Sequence, residues 1–435
     1  MSEQWENWSG LERTRPSRVG EPTDVAAVVA EVERARADGT TVKMVGSGHS
    51  FTGVAVPEHA MLRPHGMTGI VAVDREAMTV TALAGTRLKH FNAALERLGL
   101  SLHNMGDIAE QTLAGAISTG THGTGGVAAG LAAQVVGLEL VTGTGEVLRA
   151  TPEHHPEVLA VARLGLGALG VITAITFAVE PLFLLEAVEE PMSWDRALAT
   201  YDEMTATNHH VDMYWLPHTD RLLVKSNNRL GHDLDQAEPL SRWRAWLDDE
   251  LLANRVLGAE IAATNRAPLV IPRANRLVAS LFSARTFSDV AHTVFTSERS
   301  FAFREMEYAV PRDVGLTVLK EARTVLESSG LRINFPIEIR CAPADDIPLS
   351  TASGRDSFYL AFHTHRRADH AAYFALMEPV LRAHGGRPHW GKLHTQRADT
   401  LAEIYPRFGE FLAMRDRLDP DRVFGNAYLR RVLGD

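Results

Sequence analysis

The chain has 435 residues, of which 45% are hydrophobic and 23% charged, with a formal net charge of −10. That length is enough for two or three domains with real cores, and an acidic balance excludes non-specific nucleic-acid binding as the main role. The single cysteine, Cys341, excludes an intramolecular disulfide and suits a reducing compartment. The polar, acidic and aromatic start Met1 to Trp8 lacks the basic start and apolar run of a secretory signal, and no stretch reaches the apolar length of a membrane span. The expectation is a soluble cytoplasmic protein, with peripheral membrane association left open.

In chain order, Glu21 to Asp38 reads as a helix that starts near Pro22-Thr23-Asp24 and carries Val25, Val28, Val29 and Val32 on one face. Thr41 to Val45 reads as a strand. It runs into Gly46-Ser47-Gly48-His49-Ser50, where two glycines let the backbone turn tightly and turn N–H groups can form an anion site. A phosphate turn has no need of an imidazole, so at this point His49 is either an exposed turn residue or a group with a second task. No G-x-G-x-x-G follows, which argues against an ordinary dinucleotide fold. Ile70 to Asp74 and Met78 to Ala82 read as strands, and Arg87 to Leu98 as a helix closed by Gly99. The run Leu113 to Gly126 is glycine-rich with many small hydroxyls, yet Leu113, Ala114, Ala116 and Ile117 are too apolar for an exposed linker. Val135 to Val141 and Glu146 to Arg149 form a hairpin pattern, Val158 to Arg163 a helix, and Val171 to Phe177 an apolar strand.

After Pro181 the texture changes. Trp194 to Thr205 reads as a helix, Val211 to Leu216 and Arg221 to Ser226 as strands, and Leu240 to Ile271 as mostly helical. Phe301 to Val310 reads as a strand and Gly315 to Ser328 as a helix. In Ile333 to Cys341 the odd positions form an apolar face, and Asn334, Pro336, Glu338 and Arg340 lie on the other. Glu338 and Arg340 then project side by side, as a functional pair with a lowered carboxylate pKa or as a surface ion pair. Phe358 to His365 reads as a strand, Arg387 to His394 as a turn with two histidines, and Ala398 to Leu412 as a helix. The histidines show no zinc spacing, so no metal is expected.

Taken together, Gly46 to Ser50, the Gly115 to Gly123 loop, Glu338-Ile339-Arg340 and His389-Trp390-Gly391-Lys392 resemble the sugar-1,4-lactone oxidases. These are flavoenzymes of the vanillyl-alcohol-oxidase type that oxidise arabinono- and gulono-1,4-lactones. The resemblance runs from Asn7-Trp8 to the C-terminus. It implies an α+β fold with a two-subdomain FAD-binding domain over residues 1–180, an antiparallel-sheet substrate or cap domain over 181–393, and a return to the FAD domain over 394–435.

The resemblance also implies roles. FAD would be linked covalently through His49, with Gly46, Ser47, Gly48 and Ser50 holding its diphosphate and Val45 also in the cofactor site. Gly106, Asp107, Thr112, Gly115, Ala116, Ile117, Ser118, Gly120, Thr121, His122, Ile172 and His389 would complete the cofactor site. Glu338, Arg340 and Lys392 would be catalytic and, with Asp107 and Thr364, would touch substrate. The implied reaction is hydride transfer from an aldono-1,4-lactone to flavin N5, with Glu338 as the candidate base. Gly106 matches a position where glycine leaves oxygen access open, which implies reoxidation by O2 giving H2O2. The alternatives are an alditol oxidase, a lactone dehydrogenase using another electron acceptor, and a flavin-binding protein without turnover.

Overall fold

A computed structural model of the chain describes residues 4–240, 264, 267–296 and 302–435. The helix Val25–Ala37 begins where its cap predicts, with the Asp24 side chain accepting from the backbone N–H of Ala27 at 2.8 Å. It buries Val28, Val32 and Ala35 against a parallel sheet of β1 (Arg18–Gly20), β2 (Val42–Met44) and β3 (Ala60–Leu62), with β3 in the middle. A second sheet contains β4 (Ile70–Asp74), β5 (Thr79–Leu83), β6 (Val135–Val141), β7 (Val147–Ala150) and β8 (Val171–Ala178). Its order is β7-β6-β8-β5-β4 and every pairing is antiparallel. The short helix Leu113–Ser118 buries Leu113, Ala116 and Ile117 in the core of this half.

The third sheet has eight strands: β9 (Leu184–Ser193), β10 (His210–Trp215), β11 (Arg221–Gly231), β12 (Arg285–Val290), β13 (Phe303–Pro311), β14 (Ile337–Ala342), β15 (Ser357–His365) and β16 (Arg387–Pro388). Their order is β12-β9-β11-β10-β14-β15-β13-β16, again antiparallel at each pairing. Helices Trp194–Thr207, Gly315–Ser329 and Ala371–Ala383 cover one face, where Met213, Met306, Tyr308, Ile337, Ile339, Leu360 and Phe362 form the core with them. Side chains alternate between the faces of a strand. The register therefore sends Asp212, Glu305, Glu307, Glu338, Arg340, Tyr359 and His363 to the other face.

Several expectations change. The strand over Ile333 to Cys341 shortens to Ile337–Ala342, since Pro336 has no N–H to give to a ladder. Both of its faces are buried, so Glu338 and Arg340, 5% and 8% exposed, are no surface pair. The helix over Ala398 to Leu412 breaks at Pro406 into Ala398–Ile404 and Phe408–Leu418. Within the helical expectation for Leu240 to Ile271, residues 241–263, 265 and 266 lie outside the described residues, as does Phe301 of the following strand. Strand β9 and the helices Ala371–Ala383 and Ala427–Leu433 had no counterpart in the sequence reading.

The C-terminal segment packs back on the first two sheets. Val42 N donates to Val423 O at 2.9 Å, and the Asn426 amide donates to the carbonyls of Gly53, Val54 and Val56 at 3.0–3.1 Å. Among the described residues no helix is long and apolar enough to cross a membrane.

Candidate active site

A cleft of about 910 Å³, its open mouth included, lies between the Gly46–Ser50 loop, the Thr112–Thr119 segment, Gly167 to Ile172 and Phe424. No Asp or Glu lines it. It offers Lys43, His49 and the hydroxyls of Ser47, Ser50, Thr112, Ser118 and Thr119. That donor set fits an anionic dinucleotide, because a carboxylate among these residues would repel the diphosphate. Gly48 has φ +68°, a conformation that favours glycine, and a Cβ at Gly46 would come within 2.3 Å of Thr112 Oγ1. The loop is therefore closely packed. Ser47 Oγ donates to Glu110 O at 2.6 Å, the Asn7 amide donates to Ser50 O at 2.9 Å, and the Trp8 ring stacks on His49 at 5.5 Å between centroids. Burial pushes the His49 pKa down, against the opposing pull of Glu110, and so favours a neutral imidazole. Lys43 Nζ donates to Gly167 O and Phe424 O, each at 2.9 Å, and burial lowers its pKa to about 7.

The far end of the loop is fastened to the His389–Lys392 segment. Phe51 N donates to Gly391 O at 2.7 Å, and Thr52 Oγ1 donates to Trp390 O at 3.0 Å. Trp390 is fully buried and donates its indole N–H to Leu349 O at 2.7 Å. These contacts bring the cleft up to the polar face of the eight-stranded sheet.

On that face Arg340 is shared among three carboxylates. Its Nη2 lies 2.6 Å from Glu338 Oε1 and 3.7 Å from Asp107 Oδ1, and its Nε donates to Asp212 Oδ1 at 3.0 Å. The expected lowering of the Glu338 pKa is overturned. Burial raises it and the charges of Asp107 and Asp212 add to the rise, against the pull of Arg340. The Asp212 pKa is raised by burial in the same way. One guanidinium does not neutralise three carboxylates.

A second group lies on β13 and the turn after β16. Lys392 pairs with Glu305, whose other oxygen lies 3.5 Å from His363 Nε2. Burial works against both charges, but the pair prevails. Glu305 is held at about 2 by Lys392 and His363, and the Lys392 pKa is raised by Glu305 and Glu307. Beside it, His122 Nε2 lies 3.2 Å from Glu307 Oε1, and the His122 ring lies 4.0 Å from Tyr359 and 5.7 Å from His389. His122, Glu307 and His389 place three possible ligand atoms within 4.8 Å of one another, the one such group among the described residues. The N–H of Gly391 donates to His389 Nδ1 at 3.1 Å, and burial lowers the His389 pKa to about 4.

Of the cofactor residues implied by the resemblance, Gly46, Ser47, Gly48, His49, Ser50, Thr112, Gly115, Ser118 and Ile172 line the cleft. Val45, Ala116 and Ile117 turn their side chains into the core, so they could meet a ligand only through backbone. Gly120, Thr121 and His122 line a separate, smaller cavity with Thr351 and Tyr359. A Cβ at Gly106 would lie 3.0 Å from His122 O. His389 stands with Glu307 on the sheet face, and Asp107 stands with Arg340.

Thr364 is a correction. It pairs with Arg304 on the helix-covered side of β15, whereas His363 pairs with Glu305 on the polar side. A shift of one residue exchanges faces, so Thr364 does not share the face of Glu338 and Arg340. Asp212, Glu305, Glu307 and Lys43 were missed. Glu305 and Glu307 sit two apart on β13, the same signal that identified Glu338 and Arg340 on β14.

Two family models match the chain. The D-arabinono-1,4-lactone oxidase model covers residues 175–432, and an FAD binding domain model covers residues 16–151. An L-gulono-1,4-lactone dehydrogenase of Mycobacterium tuberculosis is 39% identical over 100% of both chains. An L-gulonolactone oxidase of Scyliorhinus torazame is 30% identical over 99% of this chain and 98% of its own. Among solved structures, a cholesterol oxidase of B. sterolicum superposes with a TM-score of 0.84 at 18% identity, covering 100% of this chain and 97% of that one. The fold is the vanillyl-alcohol-oxidase-type FAD-binding fold, with the large antiparallel sheet as its second half.

Proposed function

Because the chain belongs to the D-arabinono-1,4-lactone oxidase family of FAD-dependent oxidoreductases acting on CH–OH donors, we propose that it oxidises an aldono-1,4-lactone of the gulono or arabinono type, with FAD bonded to His49 and O2 as the acceptor. We further assign residues 1–180 and 394–435 to the FAD domain and 181–393 to the substrate domain, in a cytoplasmic protein. The observation that carries the reading is the convergence of Glu338, Arg340, Asp107, Lys392 and His389 on one buried face, fastened to the acid-free cleft through Phe51 and Gly391.

FAD held along Gly46–Ser50, Thr112, Gly115 and Ser118 supplies the hydride acceptor. The residues of the chain handle the proton and the developing charge. The hydrogen on the carbon beside a substrate hydroxyl leaves as hydride while that hydroxyl gives up its proton, and Glu338 would accept the proton. Its raised pKa makes it a better base than an exposed carboxylate. Arg340 and Lys392 keep their charges and stabilise alkoxide character on the substrate oxygen. Burial keeps His389 neutral, so it adds no charge near neutral pH.

Gly106 supports oxygen as the acceptor, since it presents no side chain beside Thr121 and His122. A second reading, a dehydrogenase passing electrons to another acceptor, is favoured by the name of the Mycobacterium tuberculosis relative. The test is anaerobic bleaching of the flavin by gulonolactone, arabinonolactone and xylitol, followed by admission of air. Rapid recovery of the oxidised spectrum with stoichiometric H2O2 is expected. Bleaching by a lactone without recovery in air leaves the dehydrogenase, and bleaching by xylitol alone refutes the lactone assignment.

A further inference from the structure

Asp212 has no counterpart in the sequence motifs, yet it is built into the site. It sits on β10 in register with Arg340 on β14, one step from the Met213–Ile339 pair. Its side chain is 13% exposed, and its Oδ1 accepts the Nε–H of Arg340 at 3.0 Å. A guanidinium has two usable edges. With Nε taken by Asp212, Nη2 faces Glu338 at 2.6 Å and Asp107 at 3.7 Å.

We propose that Asp212 is a positioning residue of the oxidation site, which holds Arg340 through Nε so that Nη2 is presented to Glu338 and the guanidinium to the substrate hydroxyls. The inference rests on the reading of Glu338 and Arg340 as the residues that meet substrate. A second effect follows from charge. The groups facing Glu338 are Arg340 on its own strand, Asp107 from the loop before Thr112, Asp212 and Tyr214 from β10, and His363 from β15. Lys225 of β11 faces Asp212. The Asp212 charge therefore opposes ionisation of Glu338 and keeps that carboxylate basic. Aim and charge are separable by mutation, because Asn keeps an oxygen acceptor for Nε while removing the charge, and Ala removes both.

The experiment is anaerobic stopped-flow reduction of the holoenzyme flavin by an aldonolactone across pH, for wild type, D212N, D212A, D212E and R340A. D212N should shift the acid limb of the reduction rate to lower pH, since the charge that raises the Glu338 pKa is gone. D212A should lower the limiting rate by about 10²-fold, the scale of a misplaced catalytic group, and D212E should recover part of it. The flavin spectrum and thermal melt of each variant identify one that has simply failed to fold, and D212N, the mildest change, carries the test in that case. If D212A and D212N keep the wild-type rate and acid limb while R340A is impaired, the positioning role is refuted and the parent reading stands. If R340A itself reduces flavin at the wild-type rate, the parent reading falls and this inference falls with it.

Discussion

Replacing Lys392 with methionine isolates the buried charge of Glu305. Glu305 is 3% exposed, and burial alone would raise its pKa, yet Lys392 and His363 hold it at about 2 against an ordinary 4.5. At about 1.4 kcal/mol per pH unit, that difference favours the charged form by roughly 3 kcal/mol. K392M removes the largest single opposing cause and leaves a buried carboxylate with His363 at 3.5 Å. Breaking a buried pair from one side costs about 3–5 kcal/mol, because the remaining charge is uncompensated. The sign of the pH dependence follows from the depressed carboxylate. Its stabilising contribution is complete above its unfolded pKa, ordinarily 4.5, and is lost as pH falls toward about 2. In K392M the carboxylate takes up a proton on folding instead, so the gap between variant and wild type should narrow on acidification. Urea unfolding of the holoenzyme at neutral pH and at about pH 4 measures both quantities. The double variant E305Q/K392M should recover more than half of the loss, since it leaves no orphaned charge. A K392M variant within about 1 kcal/mol of wild type at neutral pH, or a gap that widens in acid, would refute the account of this pair.

E338Q should lower the rate of flavin reduction about 10²–10⁴-fold with the flavin spectrum unchanged, and near-normal single-turnover reduction would end its assignment as base. Because that base must be ionised and its pKa is raised, wild-type kcat/KM should rise through an acid limb above the ordinary carboxylate range; a limb at or below that range contradicts the burial argument. Acid precipitation should leave yellow colour in the wild-type pellet, whereas H49A should release it, and colourless wild-type protein would dispose of the covalent bond. The open-chain aldonate formed by hydrolysis of the lactone should neither bleach the flavin nor compete with the lactone in a steady-state inhibition assay; competition at equal concentration would contradict the electrostatics of the substrate face.

The sequence was most readable where one strand carries its own pattern. Glu338 and Arg340 alternate with Ile337 and Ile339, and the structure keeps that alternation across β14. Lys392 and His389 lie in a short turn, and their neighbourhood needed no register. Asp212 was hidden because a single acidic residue in His210–Trp215 has no local partner. Its meaning comes from the pairing of β10 with β14, strands separated by more than a hundred residues. Thr364 failed for a related reason. Phe358 to His365 is apolar through much of its length and buried on both faces, so nothing in its sequence fixes which end residue points toward Glu305. The helix Ala371–Ala383 contains Pro379, a residue that ordinarily argues against a helix interior, and tertiary packing of Tyr373, Met377 and Leu381 prevails over it.

The two halves of the site have opposite electrostatics, and this bears on what can bind. The cleft lined by Gly46 to Ser50 has no carboxylate and suits a diphosphate. The sheet face gathers Asp107, Asp212, Glu305, Glu307 and Glu338 against the cations Arg340 and Lys392, with Lys225 behind Asp212. The five carboxylates outnumber the three fixed cations there, with His122 and His363 standing beside Glu307 and Glu305. A ligand bearing its own carboxylate would have to approach those acids in a low-dielectric setting, where like charges repel far more strongly than in water. A neutral sugar lactone or polyol meets no such penalty, and its hydroxyls can donate to the carboxylates and accept from Arg340 and Lys392. On the proposed reading, the face would select substrate by charge as well as by shape. On the proposed reading of Glu338 as base, the same carboxylates would keep it basic enough to take a proton, so substrate selection and base strength would come from one arrangement of side chains.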